Sequence, residues 1–297
     1  LIEDRPLFAG RSVMENGELT VIGRVVSASN ATLVCEAVLN DEAVLNDEAV
    51  LNDEAVLNAD GSAEPSAPVR CVYKPIRGEV PLWDFPDGTL AGREIASFEI
   101  SDALGWGVVP TTILRDGPFG PGMVQRWIDT PERHGEDGSR IDLVDICPPD
   151  LVPSGWIPVL QAYDGDGEEV ALIHADDPRL QRMAVLDVLL NNADRKGGHA
   201  LEGLDGYVYG VDHGICLHSE DKLRTVLWGW AGAAVDDALM SDVVVFVDSF
   251  ATAVEPRLRD HITEHEIEAL LDRARALIAK PVMPEPRSSR PIPWPAF

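Results

Sequence analysis

The strongest constraint on this chain is the order of helix, polar loop and strand around two segments, Asn191-Asn192-Ala193-Asp194-Arg195-Lys196-Gly197-Gly198-His199 and Gly210-Val211-Asp212-His213-Gly214. Upstream, Asp177-Pro178 offers a capping acid followed by proline in the first helical turn. Leu180, Met183, Val185, Leu186, Leu189 and Leu190 then predict a mostly buried helix that stops at Asn191-Asn192. The second segment sits in a strand-like stretch. A helix end and a strand returning beside it can bring Asp194 and Asp212 to one cleft. Two carboxylates so placed suit phosphoryl transfer, one taking the proton of an attacking hydroxyl and the other holding a metal that bridges nucleotide phosphates.

Composition narrows the partners. The 297 residues, 45% of them hydrophobic, can build sizeable cores. With 51 acids against 24 bases the formal charge is -27, which opposes binding to nucleic acid or to an anionic membrane surface. Cys35, Cys71, Cys147 and Cys216 show neither the close pairs of a zinc site nor the density of a disulfide framework, so they are read as reduced and mostly buried. No basic-then-apolar leader is seen in Leu1-Ile2-Glu3-Asp4-Arg5, and no apolar run reaches the roughly 20 residues that span a bilayer. The expectation is a cytoplasmic protein.

Residues 19–35 read as two strands joined by a tight turn at Ser27-Ala28-Ser29-Asn30-Ala31. Glu-Ala-Val-Leu-Asn-Asp then recurs from Glu36, with a fourth copy ending in Ala59. A six-residue period does not hold one helix face, and Asn-Asp in each copy favours turns. The stretch 36–68 is therefore read as an expanded acidic surface loop, with a partner-binding arm as the alternative. Seven acids and no bases lie between Glu36 and Ala59. Val69 to Pro75 reads as a strand carrying Lys74, and Leu90 to Leu104 as a helix closed by Gly105 and carrying Glu94, which could reach Lys74. Val108–Leu114 and Gly122–Ile128 read as strands around Asp116-Gly117-Pro118-Phe119-Gly120. Thr263-Glu264-His265-Glu266 is a capping box for a last helix. The first half is thus expected to be mainly strands and the second mainly helices.

The series of strand pair, strand lysine, helix glutamate, hinge strand, helix, acidic loop and second aspartate matches the protein-kinase-like fold, an α+β class with a strand-rich N-lobe (11–128) and a mainly helical C-lobe (129–297). Asn192-Ala193-Asp194-Arg195 followed by Val211-Asp212-His213-Gly214 resembles the phosphatidylinositol 3-/4-kinase-like superfamily, closest to the type II phosphatidylinositol 4-kinases. With Pro81-Leu82-Trp83-Asp84-Phe85-Pro86, Lys222 to Trp230 and Pro291-Ile292-Pro293-Trp294-Pro295, the whole chain resembles an actinobacterial family of kinase-like proteins. The resemblance implies that Lys74 contacts ATP phosphates and pairs with Glu94, that Asp194 is the catalytic-loop acid and that Asp212 is the metal ligand. It places Ser29 and Asn30 where kinases cradle phosphate, without their glycine pattern, and makes Met123, Gln125 and Trp127 a hinge whose main chain reads adenine.

His199 stands where such kinases use a metal-holding asparagine. Imidazole suits transition metals better than magnesium, so turnover at least as good with Mn2+ as with Mg2+ is expected. The alternative is a histidine bonded within its loop or to substrate. Arg195 is read either as a ligand of a substrate phosphate or as a tie to a neighbouring carboxylate. His213 and His218 are set aside as metal ligands, and Trp228 and Trp230 are read as core. The Pro-rich stretch 281–297 is read as a strap that covers Trp294 and Phe297, or else as a partner-binding tail. The expected activity is ATP-dependent transfer of phosphate to a hydroxyl on a soluble small molecule or protein. An AMP transferase of the selenoprotein-O type and a silent nucleotide-binding sensor are the alternatives.

Overall fold

The computed structural model describes residues 10–25, 30–39, 67–131 and 142–297. A short helix α1 (Arg11–Asn16) leads into an antiparallel sheet of β1 (Glu18–Arg24), β2 (Leu33–Val38), β3 (Val69–Pro75), β4 (Thr112–Gly117) and β5 (Gly120–Arg126). The strand order is β1-β2-β3-β5-β4. Alternation along β3 buries Cys71 and Tyr73 with Cys35, Ala37, Ile113 and Val124 under α1. Lys74 therefore leaves from the other face. There it sits beside Met123, its register partner on β5, which packs on Ala91 and Ile95 of helix α2 (Leu90–Ala103). Gly122 is required at this crossing, because a Cβ would fall 2.5 Å from the Lys74 carbonyl oxygen.

Helix α2 starts where Thr89 accepts from the Gly92 amide, and the chain turns away at Gly105, whose φ is 70°. It is buried almost all round because it serves two cores. Ala91 and Ile95 meet the sheet, while Ala96, Phe98, Ile100 and Leu104 join the large core of the helical region. Polar contacts fasten the helix to that region. Arg93 donates to Glu266 (2.5 Å) and to the Cys216 carbonyl, Arg257 pairs with Glu99 and Asp102, and Trp106 just beyond donates to Asp242.

The rest comprises a three-stranded antiparallel sheet of β6 (Val144–Cys147), β7 (Trp156–Tyr163) and β8 (Glu169–Ala175), then α3 (Pro178–Leu190), a small hairpin of β9 (Ala200–Glu202) and β10 (Val208–Gly210), and helices α4 (Asp237–Ser249), α5 (Glu255–Leu258) and α6 (Glu264–Ala279). Asp177 caps α3, Asn191 ends it in the left-handed region, and Thr263 with Glu266 forms a reciprocal capping box on α6. Trp228 and Trp230 are buried, as expected. The four cysteines are free, and Cys35, Cys71 and Cys216 are buried. The class is α+β. Among the described residues no helix is long and apolar enough to cross a membrane.

Some expectations change. The second half holds the sheet β6–β8 as well as helices, and its strand β7 has no fully buried residue and lacks a clean apolar alternation. Strand β4 starts at Thr112 instead of Val108, because the Val108 and Val109 amides are taken by the Ser101 hydroxyl at 3.1 Å and Pro110 has no amide hydrogen. The acidic stretch 36–68 begins within β2, where Glu36 to Val38 of the first repeat pair with β1, and the later repeats lie outside the described residues. The strap does dock, since Pro291 accepts from the Thr225 amide and the Trp228 indole, and Ala296 accepts from Gly197. It does not hide Trp294 or Phe297, which are 91% and 49% exposed.

Candidate active site

Lys74, Glu94 and Asp212 converge although they lie far apart in the chain. The Lys74 ammonium is 2.7 Å from Glu94 Oε1 and 2.7 Å from Asp212 Oδ1. The other Glu94 oxygen accepts from the His213 amide at 2.8 Å, which fastens the segment after β10 to α2. Burial works to discharge Lys74, but the two carboxylates outweigh it and hold its pKa above the ordinary lysine value. The Lys74 charge in turn holds Asp212 well below the usual carboxylate range. Asp212 is not in a regular strand, as its context suggested. Its φ is 60°, a left-handed conformation that non-glycine residues adopt at a cost of about 1 kcal/mol or more. The backbone turn carries its carboxylate back toward Lys74.

The loop after α3 is organised around Asp187, a fully buried carboxylate on that helix. It accepts from Arg195 Nε and Nη2, Asn192 Nδ2 and Thr225 Oγ1, at 2.9 to 3.1 Å. Of the two roles open to Arg195, the structure gives it the tie. Its side chain is 0% exposed, and its remaining donors go to the His199 and Val211 carbonyls and to His213 Nε2. This corrects its place among the catalytic residues, because a guanidinium with all its donors turned inward cannot reach a phosphate in the cleft.

Asp194 itself faces outward. Its amide donates to Asn192 Oδ1, and its Oδ2 lies 3.3 Å from the Lys196 ammonium. Burial raises the Asp194 pKa, and the nearby Asp212 charge adds to that effect against the pull of Lys196. His199 links the two acids. Its Nδ1 is 3.0 Å from the Asp194 carbonyl, which can only accept, so Nδ1 carries the hydrogen. Nε2 is then a lone pair, 3.5 Å from Asp212 Oδ2. Burial lowers the His199 pKa to about 4, so the imidazole is neutral at pH 7.

Compared with known proteins, the chain is 51% identical over 289 residues to Protein Rv2133c of Mycobacterium tuberculosis, an alignment that covers 96% of this chain and 95% of that protein. This chain belongs to the Rv2133c family. No family model matches it. The alignment runs over nearly all of both proteins, so the family is defined across the sheet and the helical region together.

In this member of the Rv2133c family the residues expected to hold the nucleotide base are placed differently. Met123 and Gln125 lie in β5, which pairs with β3 on one side and β4 on the other, and Gln125 donates to Thr112 Oγ1. The Arg126 and Trp127 amides are used by the Thr111 and Arg70 carbonyls. An interior strand has spent its main chain on its neighbours, so Met123, Gln125 and Trp127 do not offer amides to an adenine edge, and the first position past the sheet is Ile128. Asn30 accepts from the Val80 amide through Oδ1, and Ser29 lies outside the described residues. His213 is buried on Arg195, and His218 bonds the Glu220 amide and packs on Phe85, so neither joins His199. Three residues were missed in the sequence. Lys196 had a signal, since it lies two positions from Asp194 in an extended segment. Asp187 had one too, as the only acid in an otherwise apolar helix run. Asn192 had only its place in the motif.

Proposed function

We propose that the chain is an ATP-dependent phosphotransferase of the two-lobed protein-kinase-like fold, with residues 11–128 as the N-lobe and 129–297 as the C-lobe. The observation that carries this reading is the Lys74 ammonium held 2.7 Å from both Glu94 and Asp212, with Asp194 near enough for the Asp212 charge to act on it. The phosphatidylinositol 3-/4-kinase-like resemblance of the two acidic segments supports it.

A divalent ion fits the residues present. The His199 lone pair and Asp212 Oδ2 face each other at 3.5 Å with no proton between them at neutral pH. Among the described residues no group of three or more His, Cys, Asp or Glu side chains is arranged to hold an ion, so further ligands would come from ATP and water. A bound Mn2+ or Mg2+ would offset the negative charge of the phosphates. The chain does the rest. Glu94 positions the Lys74 ammonium against the nucleotide phosphates. Asp194, made more basic by burial, takes the proton of the acceptor hydroxyl as that oxygen bonds to the γ-phosphorus and the bond to the bridging β-phosphate oxygen breaks. Lys196 adds positive charge beside Asp194 where the phosphoryl group passes.

The test is ATP consumption with each metal over pools of soluble hydroxyl compounds and proteins, with products read by mass spectrometry. A gain of phosphate that is lost in Asp194→Asn by roughly 10²–10⁴-fold, with ATP affinity retained, is the expected result. A gain of AMP would make the protein a nucleotidyl transferase. ATP binding without any consumption under either metal would make it a sensor.

A further inference from the structure

The segment that flanks the catalytic loop carries a cation, Arg224, whose side chain makes no hydrogen bond or ion pair among the described residues. Arg195 and Thr225 form a parallel bridge, with the Arg224 amide donating to the Asn192 carbonyl (2.8 Å) and the Arg195 amide to the Arg224 carbonyl (3.1 Å). Both bridge side chains turn inward onto Asp187. Residues one position away in an extended pair leave from the opposite face, so Asp194 and Arg224 project outward side by side, on segments about 4.8 Å apart. The Arg224 charge acts on Asp194, but it is not among the charges that act most strongly on Asp212 or His199.

Among the described residues, no carboxylate or other acceptor holds the Arg224 guanidinium. Nearby cations do have such neighbours. Lys196 lies on Asp194, Lys222 is 3.7 Å from both Asp84 and Glu220, and Arg287 is 3.6 Å from Asp221. What sets Arg224 apart is its place, one position from the Thr225 that bonds Asp187 and beside Asp194, on which its charge acts. Its planar fork suits two parallel hydrogen bonds to a phosphate or carboxylate.

We propose that Arg224 binds an anionic group of the acceptor, a phosphate or carboxylate carried next to the hydroxyl that Asp194 deprotonates. This rests on the phosphotransferase reading and names its acceptor class. Arg224 selects; it takes no part in the proton transfer.

Inorganic phosphate is the probe, titrated into the full chain with magnesium and a non-hydrolysable ATP analogue and followed by the NMR signal of the Arg224 Nε–H group and the Asp194 amide. Saturable shifts are expected, with phosphate affinity falling at least roughly ten-fold in Arg224→Gln, the size of losing a charge-assisted hydrogen bond. Arg224→Lys should recover part of it, Arg290→Gln should change nothing, and the melting temperature of each variant should match the parent. Displacement of phosphate by glycerol 3-phosphate assigns a soluble anion. Displacement only by vesicles containing phosphatidylinositol assigns a lipid headgroup. Shifts that survive Arg224→Gln, no saturable shift, or glycerol as effective as glycerol 3-phosphate would each overturn the proposal. So would a loss of analogue affinity in Arg224→Gln, which would give Arg224 to the nucleotide. An analogue that fails to bind the parent chain speaks against the phosphotransferase reading alone, because the phosphate titration reports on Arg224 independently.

Discussion

The Asp187–Arg195 pair gives the sharpest test of how the loop after α3 is held. Both side chains are 0% exposed, and the carboxylate also accepts from Asn192 and Thr225. In Asp187→Asn the Arg195 guanidinium stays buried without a counter-charge, a change that costs about 3–5 kcal/mol in comparable settings. A chain of 297 residues has an unfolding entropy near 0.6 kcal/mol/K at about 2.1 cal/mol/K per residue, so about 4 kcal/mol lowers the melting temperature by roughly 6–7 °C. Arg195→Met should cost a similar amount, since it strands the carboxylate and also the His199 and Val211 carbonyls. The double variant removes both charges. Urea unfolding should show it several kcal/mol more stable than the sum of the single changes predicts, a coupling that only contacting residues give. Additive losses, or an Asp187→Asn protein within about 1 kcal/mol of the parent, would refute the assigned tie.

Three further outcomes are expected. In the metal-free protein, His199 takes up a proton only near pH 4 against about 6.5 when unfolded, so the unfolded state binds the extra proton between those values; stability should fall by on the order of 3 kcal/mol as pH drops through that window, with buried His213 acting in the same direction, and acid titration of His199→Asn should show a shallower loss. Gly197→Ala sets a methyl into the Phe297 ring, so the strap should loosen, with about 1–3 kcal/mol lost in thermal unfolding and faster amide exchange at Gly197. Metal titrations of turnover should favour Mn2+ or show parity in the parent and shift toward Mg2+ in His199→Asn; strict Mg2+ dependence that survives His199→Ala would remove His199 from the metal.

The parts of this architecture that were legible in advance are those written in local chemistry. Asp177-Pro178, Asn191 and Thr263-x-x-Glu266 mark their helix ends because capping is satisfied within a few residues. Lys74 and Glu94 lie on elements whose periods are plain, and the structure brings them together with Asp212. What was not legible depends on partners distant in sequence. The Thr225 hydroxyl reaches Asp187 across 38 positions, and nothing near Arg195 says that its donors turn inward. The hinge expectation failed for a related reason. Residues 123–127 look like any apolar strand, and only the strand order shows β5 enclosed by β3 and β4. The left-handed Asp212 looks like a strand residue because its neighbours Tyr209 and Gly210 are in one.

Helix α2 shares its apolar face with the helical core and is pinned there through Arg93, Glu99, Asp102 and Trp106. Its glutamate is therefore anchored through the helical region, while Lys74 is carried by the sheet on the other side of the helix. A displacement of the sheet against that helix would part the ammonium from Glu94 and Asp212 together, since one side chain makes both contacts.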